Sequence, residues 1–451
     1  MARIWLSLFI KSFGVFLIAG NSFAAAIPVE IDHASGGFTL YRGAEPYFIK
    51  GGGGEVHMDV LAARGGNSIR TWNAANAGQI LDQAKKFGLT VTLGLWVEHE
   101  AHGFDYDNAD AVAAQLDKFR KIVMTYKDHP ALLMWGVGNE VNLNYRNIKV
   151  WDAVEEIAAM VHELDENHPT MTVLAGMPRR DIRLIADKCP NLDILGINAY
   201  AALVKVPYVI RDSSWDGPYV ITEWANNGYW EVGRTRWGAS FEQTSNQKAD
   251  VYRERYENFI AADTERSLGS YVFFWGNTQE LTPTWFGMFL NSGEQTSAVD
   301  VMQFVWTGSW PQNRAPNILS FDLDGTDGRK PNAYLTPGGA YRARVSLDDA
   351  DDDNLELKWE IRPEADLNKV RRVSQPVKLT GDHEAVTEGT EGTFYFNAPD
   401  QLGAYRLYFY AFDGHNHTAT GNIPFYVRNE IKLGKRQSLG VKSKKNAKAS
   451  L

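Results

Sequence analysis

Leu133-Met134-Trp135-Gly136-Val137-Gly138-Asn139-Glu140 is an apolar run that ends on a carboxylate, and Tyr219-Val220-Ile221-Thr222-Glu223 repeats the pattern further along the chain. Short apolar runs of this kind read as strands buried on both faces, the condition of strands in a parallel sheet. Six more runs share the character: Tyr47-Phe48-Ile49-Lys50, Asn67-Ser68-Ile69-Arg70, and residues 89–95, 171–175, 192–197 and 270–275. Stretches with helical periodicity lie between them, at 77–87, 109–126 and 151–165. Eight strands, each followed by a crossover long enough for a helix, require parallel pairing with right-handed connections. A closed eightfold barrel of about 250 residues satisfies that pattern. Residues 200–219 lack a helical period, so the sixth repeat is expected to be irregular. An open doubly wound sheet is the alternative, but no Gly-rich dinucleotide fingerprint accompanies it. Gly51-Gly52-Gly53-Gly54 lacks the Lys-Ser/Thr of a phosphate loop and reads as a tight turn across the barrel mouth.

The ends of the chain differ from its middle. Met1-Ala2-Arg3 opens an apolar segment broken once by Lys11, and Ser22-Phe23-Ala24-Ala25-Ala26 follows. The uninterrupted part is too short for a span of about 20 residues. A basic start, a short apolar centre and small residues at the cut are the marks of a secretory signal over 1–24, so an exported protein, periplasmic or extracellular, is expected. At the other end, residues 429–451 carry Lys432, Lys435, Arg436, Lys442, Lys444, Lys445 and Lys448 with almost no apolar residues, the composition of a disordered tail. The barrel occupies 27–310. From Pro311 to residue 428 the pattern changes to short alternating strands with turn residues at regular intervals, as in an antiparallel β-sandwich. The fold class is therefore α/β: a (β/α)8 TIM barrel followed by an all-β domain. Asp348-Asp349-Ala350-Asp351-Asp352-Asp353 has the ligand types for calcium, although a charged hairpin loop is the plainer reading.

Composition excludes several functions. The 451 residues include 55 Asp+Glu against 46 Lys+Arg, a net charge of −9, which argues against a protein built to grip nucleic acid. A single cysteine, Cys189, excludes an intramolecular disulfide framework and a thiolate zinc site. No cofactor fingerprint occurs, and no second apolar run is long enough to span a membrane. The 14 Trp stand out, because flat aromatic rings suit sugar stacking as well as core packing.

On a parallel barrel the chemistry gathers past the C-terminal ends of the strands. Those positions carry Arg70, Trp72 and Asn73 at the second strand, and Trp96, Glu98, His99, Glu100 and His102 at the third. Asn139 and Glu140 follow the fourth, Asn198 and Tyr200 the sixth, Glu223 and Trp224 the seventh, and Trp275 and Asn277 the eighth. Strands four and seven face each other across the mouth. Two opposed carboxylates are what glycosidic cleavage requires: one protonated, to give its proton to the leaving oxygen, and one ionised, to attack or to activate water. Glu98-His99-Glu100-Ala101-His102 lacks the His-Glu-x-x-His spacing of a zinc helix and reads as a loop bordering the cleft.

Asn139-Glu140, Glu223 in Thr-Glu-Trp, Trp275 in Phe-Phe-Trp-Gly, Arg70 and Tyr200, in that barrel order, resemble clan A of the retaining glycoside hydrolases. The resemblance covers residues 47–277. It implies that Glu140 is the acid/base and Glu223 the nucleophile. Asn139 would bind the sugar 2-hydroxyl, Arg70 and Tyr200 would orient Glu223, and Trp275 would stack under the sugar. Trp72, Asn198 and Trp224 complete the expected substrate-binding set. Residues 49–72 also look like the start of family 2 barrels, although the large β-domains that precede those barrels are absent. The 83-residue spacing of the two acids, with a C-terminal module resembling immunoglobulin-like or PKD-like domains, looks like bacterial endo-β-1,3-glucanases of family 158. The implied substrate is a polysaccharide or oligosaccharide, with a β-glucan favoured. A transglycosylase using the same residues and a non-catalytic carbohydrate-binding protein remain as alternatives.

Overall fold

The computed structural model of the protein describes residues 26–34, 36–324, 332–366, 375–377 and 384–429. The expected signal segment and nearly all of the basic tail lie outside these residues. The eight barrel strands are β1 (Ile49–Gly53), β2 (Ser68–Arg70), β3 (Thr90–Leu95), β4 (Leu132–Val137), β5 (Thr170–Ala175), β6 (Ile194–Asn198), β7 (Tyr219–Trp224) and β8 (Ser267–Val272). Each pairs in parallel with its sequence neighbours, and β8 pairs with β1 to close the ring. Every residue of β3, β4, β7 and β8 is buried, which is why these strands read as apolar runs.

The outer helices bury one stripe each. In the helix Lys149–Leu164 the buried residues are Val150, Trp151, Val154, Ile157, Ala158 and Val161, with Ala153 and Met160 beside them. The sixth repeat is irregular, as its sequence suggests. Residues 201–205 form a 3₁₀ turn, and Val206–Arg211 a six-residue helix with Pro207 in its first turn, too short to show a period. The glycine run differs from its expected role. Gly51, Gly52 and Gly53 are residues of β1, and side chains crowd them: a Cβ on Gly51 would lie 2.3 Å from the Tyr271 ring, and one on Gly52 2.8 Å from Trp275. Close packing, rather than a turn, demands glycine there. An antiparallel hairpin, Val29–Ala34 and Gly37–Arg42, closes the opposite end of the barrel. Its Val29 and Leu40 pack with Met171, Val173, Val220 and Tyr271.

Among the described residues, eight further strands follow the barrel: β9 (Asn317–Leu323), β10 (Ala333–Leu335), β11 (Ala340–Asp348), β12 (Glu356–Pro363), β13 (Glu384–Glu388), β14 (Glu391–Asn397), β15 (Gly403–Phe412) and β16 (Thr418–Val427). They form two four-stranded sheets, ordered β9-β11-β14-β13 and β10-β16-β15-β12, antiparallel except where β10 joins β16. Phe394, Phe396, Ile361, Leu407 and Phe425 fill the core. Trp359 stacks on Phe394 at 5.4 Å and leans on Phe409 at 4.6 Å, making it a core residue rather than a sugar platform.

The two domains share a buried polar seam. Arg406 on β15 is fully buried and donates to Glu364, to Asn422 and to the Ser240 carbonyl of the barrel. Asn422 on β16 donates to Glu242, which also accepts from Lys248, Thr282 and Thr284. Charges buried this way need every partner, because removal of one strands the rest.

Candidate active site

Glu223 lies within β7 and is 6% exposed. Its Oε1 accepts from Arg70 Nη1 at 3.1 Å and from Trp72 Nε1 at 2.8 Å, and its Oε2 accepts from the Tyr200 hydroxyl at 3.1 Å. These donors come from the ends of β2 and β6 and from the segments just beyond, so only the closed barrel brings them together. Burial holds the Tyr200 hydroxyl well above the usual tyrosine range, keeping it protonated as a donor. Arg70 spans the floor of the site. Its Nη1 also reaches the Thr222 carbonyl at 3.1 Å, and its Nη2 donates to Asn139 Oδ1 at 2.6 Å.

Glu140 stands three residues past the end of β4, on a turn. Gly138 has φ +78, where a Cβ would sit 3.0 Å from Val141, and Glu140 itself has φ +54. A non-glycine residue in the left-handed region carries a cost of about 1–2 kcal/mol. Two contacts hold the turn: Glu140 N–H to the Val173 carbonyl at 2.8 Å, and His99 Nε2–H to the Asn139 carbonyl at 2.9 Å. Among the described residues, Asn198 Nδ2 donates to the Glu140 carboxyl, at 2.9 Å from Oε1. Burial, and then the charge of Glu223, push this carboxyl up to about 7, against the opposing pull of Asn198 and Arg70. Asn198 is fixed in turn by Thr222, whose hydroxyl donates to its Oδ1 at 2.7 Å. One network, Glu140–Asn198–Asn139–Arg70–Glu223, therefore joins the two acids.

Both acids line an open cleft of about 1170 Å³. Asn139, Asn198, Tyr200 and Trp72 line it too, while Arg70 sits beneath. Two expected residues do not face it. Trp224 is fully buried against Tyr252 and Tyr256, since neighbours on a strand point to opposite faces and Glu223 takes the inner one. Trp275 is also fully buried, with Nε1 donating to the His57 carbonyl at 3.1 Å and its ring against Phe289 and Trp306. The cause is the end of β8, which stops at Val272, so Phe273 and Phe274 occupy the mouth. Asn73 serves its own loop, accepting from the Ala75 N–H, while Asn277 lines the cleft and donates to the Phe289 carbonyl.

Residues 56–262 match the family model described as "Glycosyl hydrolases family 2, TIM barrel domain". That stretch holds β2 to β7 and both acids. This part of the chain is similar to the barrel domain of that family. No curated protein matches the chain. Among solved structures, it is similar to a β-glucuronidase from Ruminococcus gnavus, at 15% identity over 62% of this chain and 52% of that one, with a TM-score of 0.47. It is also similar to a GH10 xylanase from Thermobacillus composti (18% identity, 57% and 96% covered, TM-score 0.43) and a GH53 catalytic domain from Ignisphaera aggregans (16%, 55% and 88%, TM-score 0.40). The chain thus spans about half the length of the glucuronidase.

Sequence reasoning missed part of the wall of this cleft. Tyr229, Trp230 and Glu231 from the loop after β7, and Gln279 and Glu280 from the loop after β8, all line it. Trp230 is 49% exposed and meets Tyr200 edge-on at 5.3 Å. A Trp in a polar, aperiodic loop was the one available signal. The Glu98–His102 segment does border the cleft: Trp96, His99 and His102 form a stacked row with 5.1 Å between successive rings. Glu100 instead ties the next loop, accepting from the Arg146 and Asn147 N–H groups.

Proposed function

We propose that the protein is an exported, retaining β-glycosidase that hydrolyses a polysaccharide, with a β-glucan, and β-1,3 linkages in particular, as the favoured substrate. The observation that carries the reading is the asymmetry of the two acids: Glu223 accepts three hydrogen bonds, while Glu140 accepts one and holds its proton up to about pH 7. In the first step Glu140 gives its proton to the glycosidic oxygen as that bond breaks, and a Glu223 oxygen bonds to the anomeric carbon from the opposite face. In the second, Glu140 takes a proton from water, whose oxygen displaces Glu223 and restores the original configuration. Asn139 is suited to the sugar 2-hydroxyl, and Arg70 and Tyr200 to orienting Glu223. A cleft of about 1170 Å³ exceeds the ~300–1,000 Å³ of small-molecule sites and suits several linked sugars. The β-1,3 preference and export rest on the sequence alone, as does an immunoglobulin-like kinship for the second domain.

Incubation with β-1,3-, β-1,4- and β-1,6-glucans, mannan and galactan, followed by sizing of products and NMR of the first-formed anomer, tests the proposal. Cleavage with the β-anomer appearing first is expected. No product from any glycan, or initial release of the inverted anomer, defeats it. Products longer than the substrate would mark a transglycosylase instead.

A further inference from the structure

We propose that Asp349, Asp351 and Asp353, in the loop from β11 to β12, form a calcium site. One carboxylate oxygen from each lies within 4.8 Å of the others. Proximity alone would signify little; the decisive observation is how these acids are buried. Asp349 is 7% exposed, yet its Oδ2 is enclosed and has no hydrogen-bond partner among the described residues. Asp353 Oδ2 is in the same condition. A carboxylate oxygen removed from water without a donor carries its full desolvation cost, and nothing in this loop relieves it. Two of the other oxygens accept hydrogen bonds. Asp349 Oδ1 accepts from the N–H groups of Asp351 and Asp353 at 3.0 and 3.1 Å, and Asp351 Oδ2 accepts from Arg314 N–H at 2.7 Å.

Local cations do not balance the three charges. Arg314 turns its guanidinium over the Trp310 ring at 5.1 Å. His415, with a side chain 62% exposed, approaches only Asp353, 3.4 Å from its Oδ1. A divalent cation between the acids would satisfy the two orphaned oxygens together. The donors are all oxygen, supplied by alternate residues of a loop, which is calcium's preference; zinc favours nitrogen and sulfur, and magnesium demands a tighter octahedron. The site also has a structural task in reach. Asp351 grips the chain just as it enters the second domain, and neighbouring Asn313 donates to Asp413 at 2.6 Å. Asp413 Oδ1 accepts from the His415 and His417 N–H groups. An ion here would fasten the linker to two loops of the sandwich, independently of the barrel's chemistry.

Calorimetric titration of the full chain, stripped with EDTA, with calcium chloride tests this, alongside its unfolding temperature. One calcium per chain is expected, with an upward shift in unfolding temperature that magnesium at equal concentration does not match. Asp349→Asn and Asp353→Asn should each weaken binding at least about tenfold, since each removes a ligand charge. Asp352→Asn, at an exposed position outside the cluster, should bind as the wild type does. In EDTA, Asp349→Asn should unfold at or above the wild-type temperature, because it removes the charge whose Oδ2 lacks a partner, and in calcium the order should reverse. If Asp349→Asn does not fold, Asp353→Asn gives the same comparison. A folded wild type with neither binding heat nor a thermal shift, or binding that survives both Asn variants, overturns the proposal.

Discussion

At the mouth of β7, Glu223 is met by a guanidinium, an indole N–H and a phenol; across the barrel at the mouth of β4, Glu140 has one amide donor and a neighbouring negative charge. The backbones differ as well. Glu223 is an ordinary strand residue, whereas Glu140 is held on a left-handed turn by bonds from the loop after β3 and from β5. Identical side chains thus meet different settings: three donors hold and orient Glu223, whereas burial beside another charge pushes Glu140 toward its neutral form. The contrast extends to the loops. The one after β7 and the one after β8 are tied to the second domain through Glu242, Thr282 and Thr284, while the loop after β4 is tied to the barrel through Glu100 and Ala175.

The largest effect should come from erasing either acid. Glu223→Ala should lower polysaccharide turnover by at least about 10⁴-fold, and Glu140→Ala by about 10²–10⁴-fold. The two losses should differ in kind. Azide should rescue Glu223→Ala and yield a glycosyl azide of inverted configuration, and an activated leaving group should rescue the first step of Glu140→Ala. Exchange of these two rescue patterns would reverse the assignment.

An intermediate effect concerns pH. Because Glu140 must carry its proton, kcat/KM should fall about tenfold per unit above a pH of about 7. Glu223→Gln removes the adjacent charge, and the Glu140 titration, followed by carbon NMR of the carboxyl, should shift down yet stay above 4.5, since burial is the larger cause. The same group lowers stability as pH rises. Below 4.5 both folded and unfolded chains hold the proton; between 4.5 and about 7 only the folded chain does, so folding free energy declines across that window. A Glu140 that titrates at the ordinary value in wild type would remove the asymmetry.

The smallest effect tests the tie between domains. Asn422→Ala removes the second domain's bond to Glu242, which braces the loops carrying Trp230 and Glu280 but touches neither acid. KM for long glycans should rise a few-fold with kcat nearly unchanged. An equal fall in kcat would mean that the second domain also tunes the acids.

Much of this was legible in the amino-acid order. Strands buried on both faces must be apolar throughout, so all eight barrel strands, and the acids following the fourth and seventh, could be read from residue type and spacing. The second domain announced itself by a change from helical to alternating periodicity at Pro311. What required the folded chain were the properties that arise between distant segments. The end of β8 at Val272 decided that Phe273 and Phe274, rather than Trp275, reach the cleft, because strand pairing sets where a strand stops. The glycines of β1 are explained only by Tyr271 and Trp275 lying against them. Arg70 joins Asn139, 69 residues away, to Glu223, 153 residues away, and no local pattern encodes that meeting. The proton affinity of Glu140 belongs to the same class: sequence determined that a carboxyl stands there, but burial and the distance to another charge, both products of tertiary packing, decided which of the two acids keeps its proton.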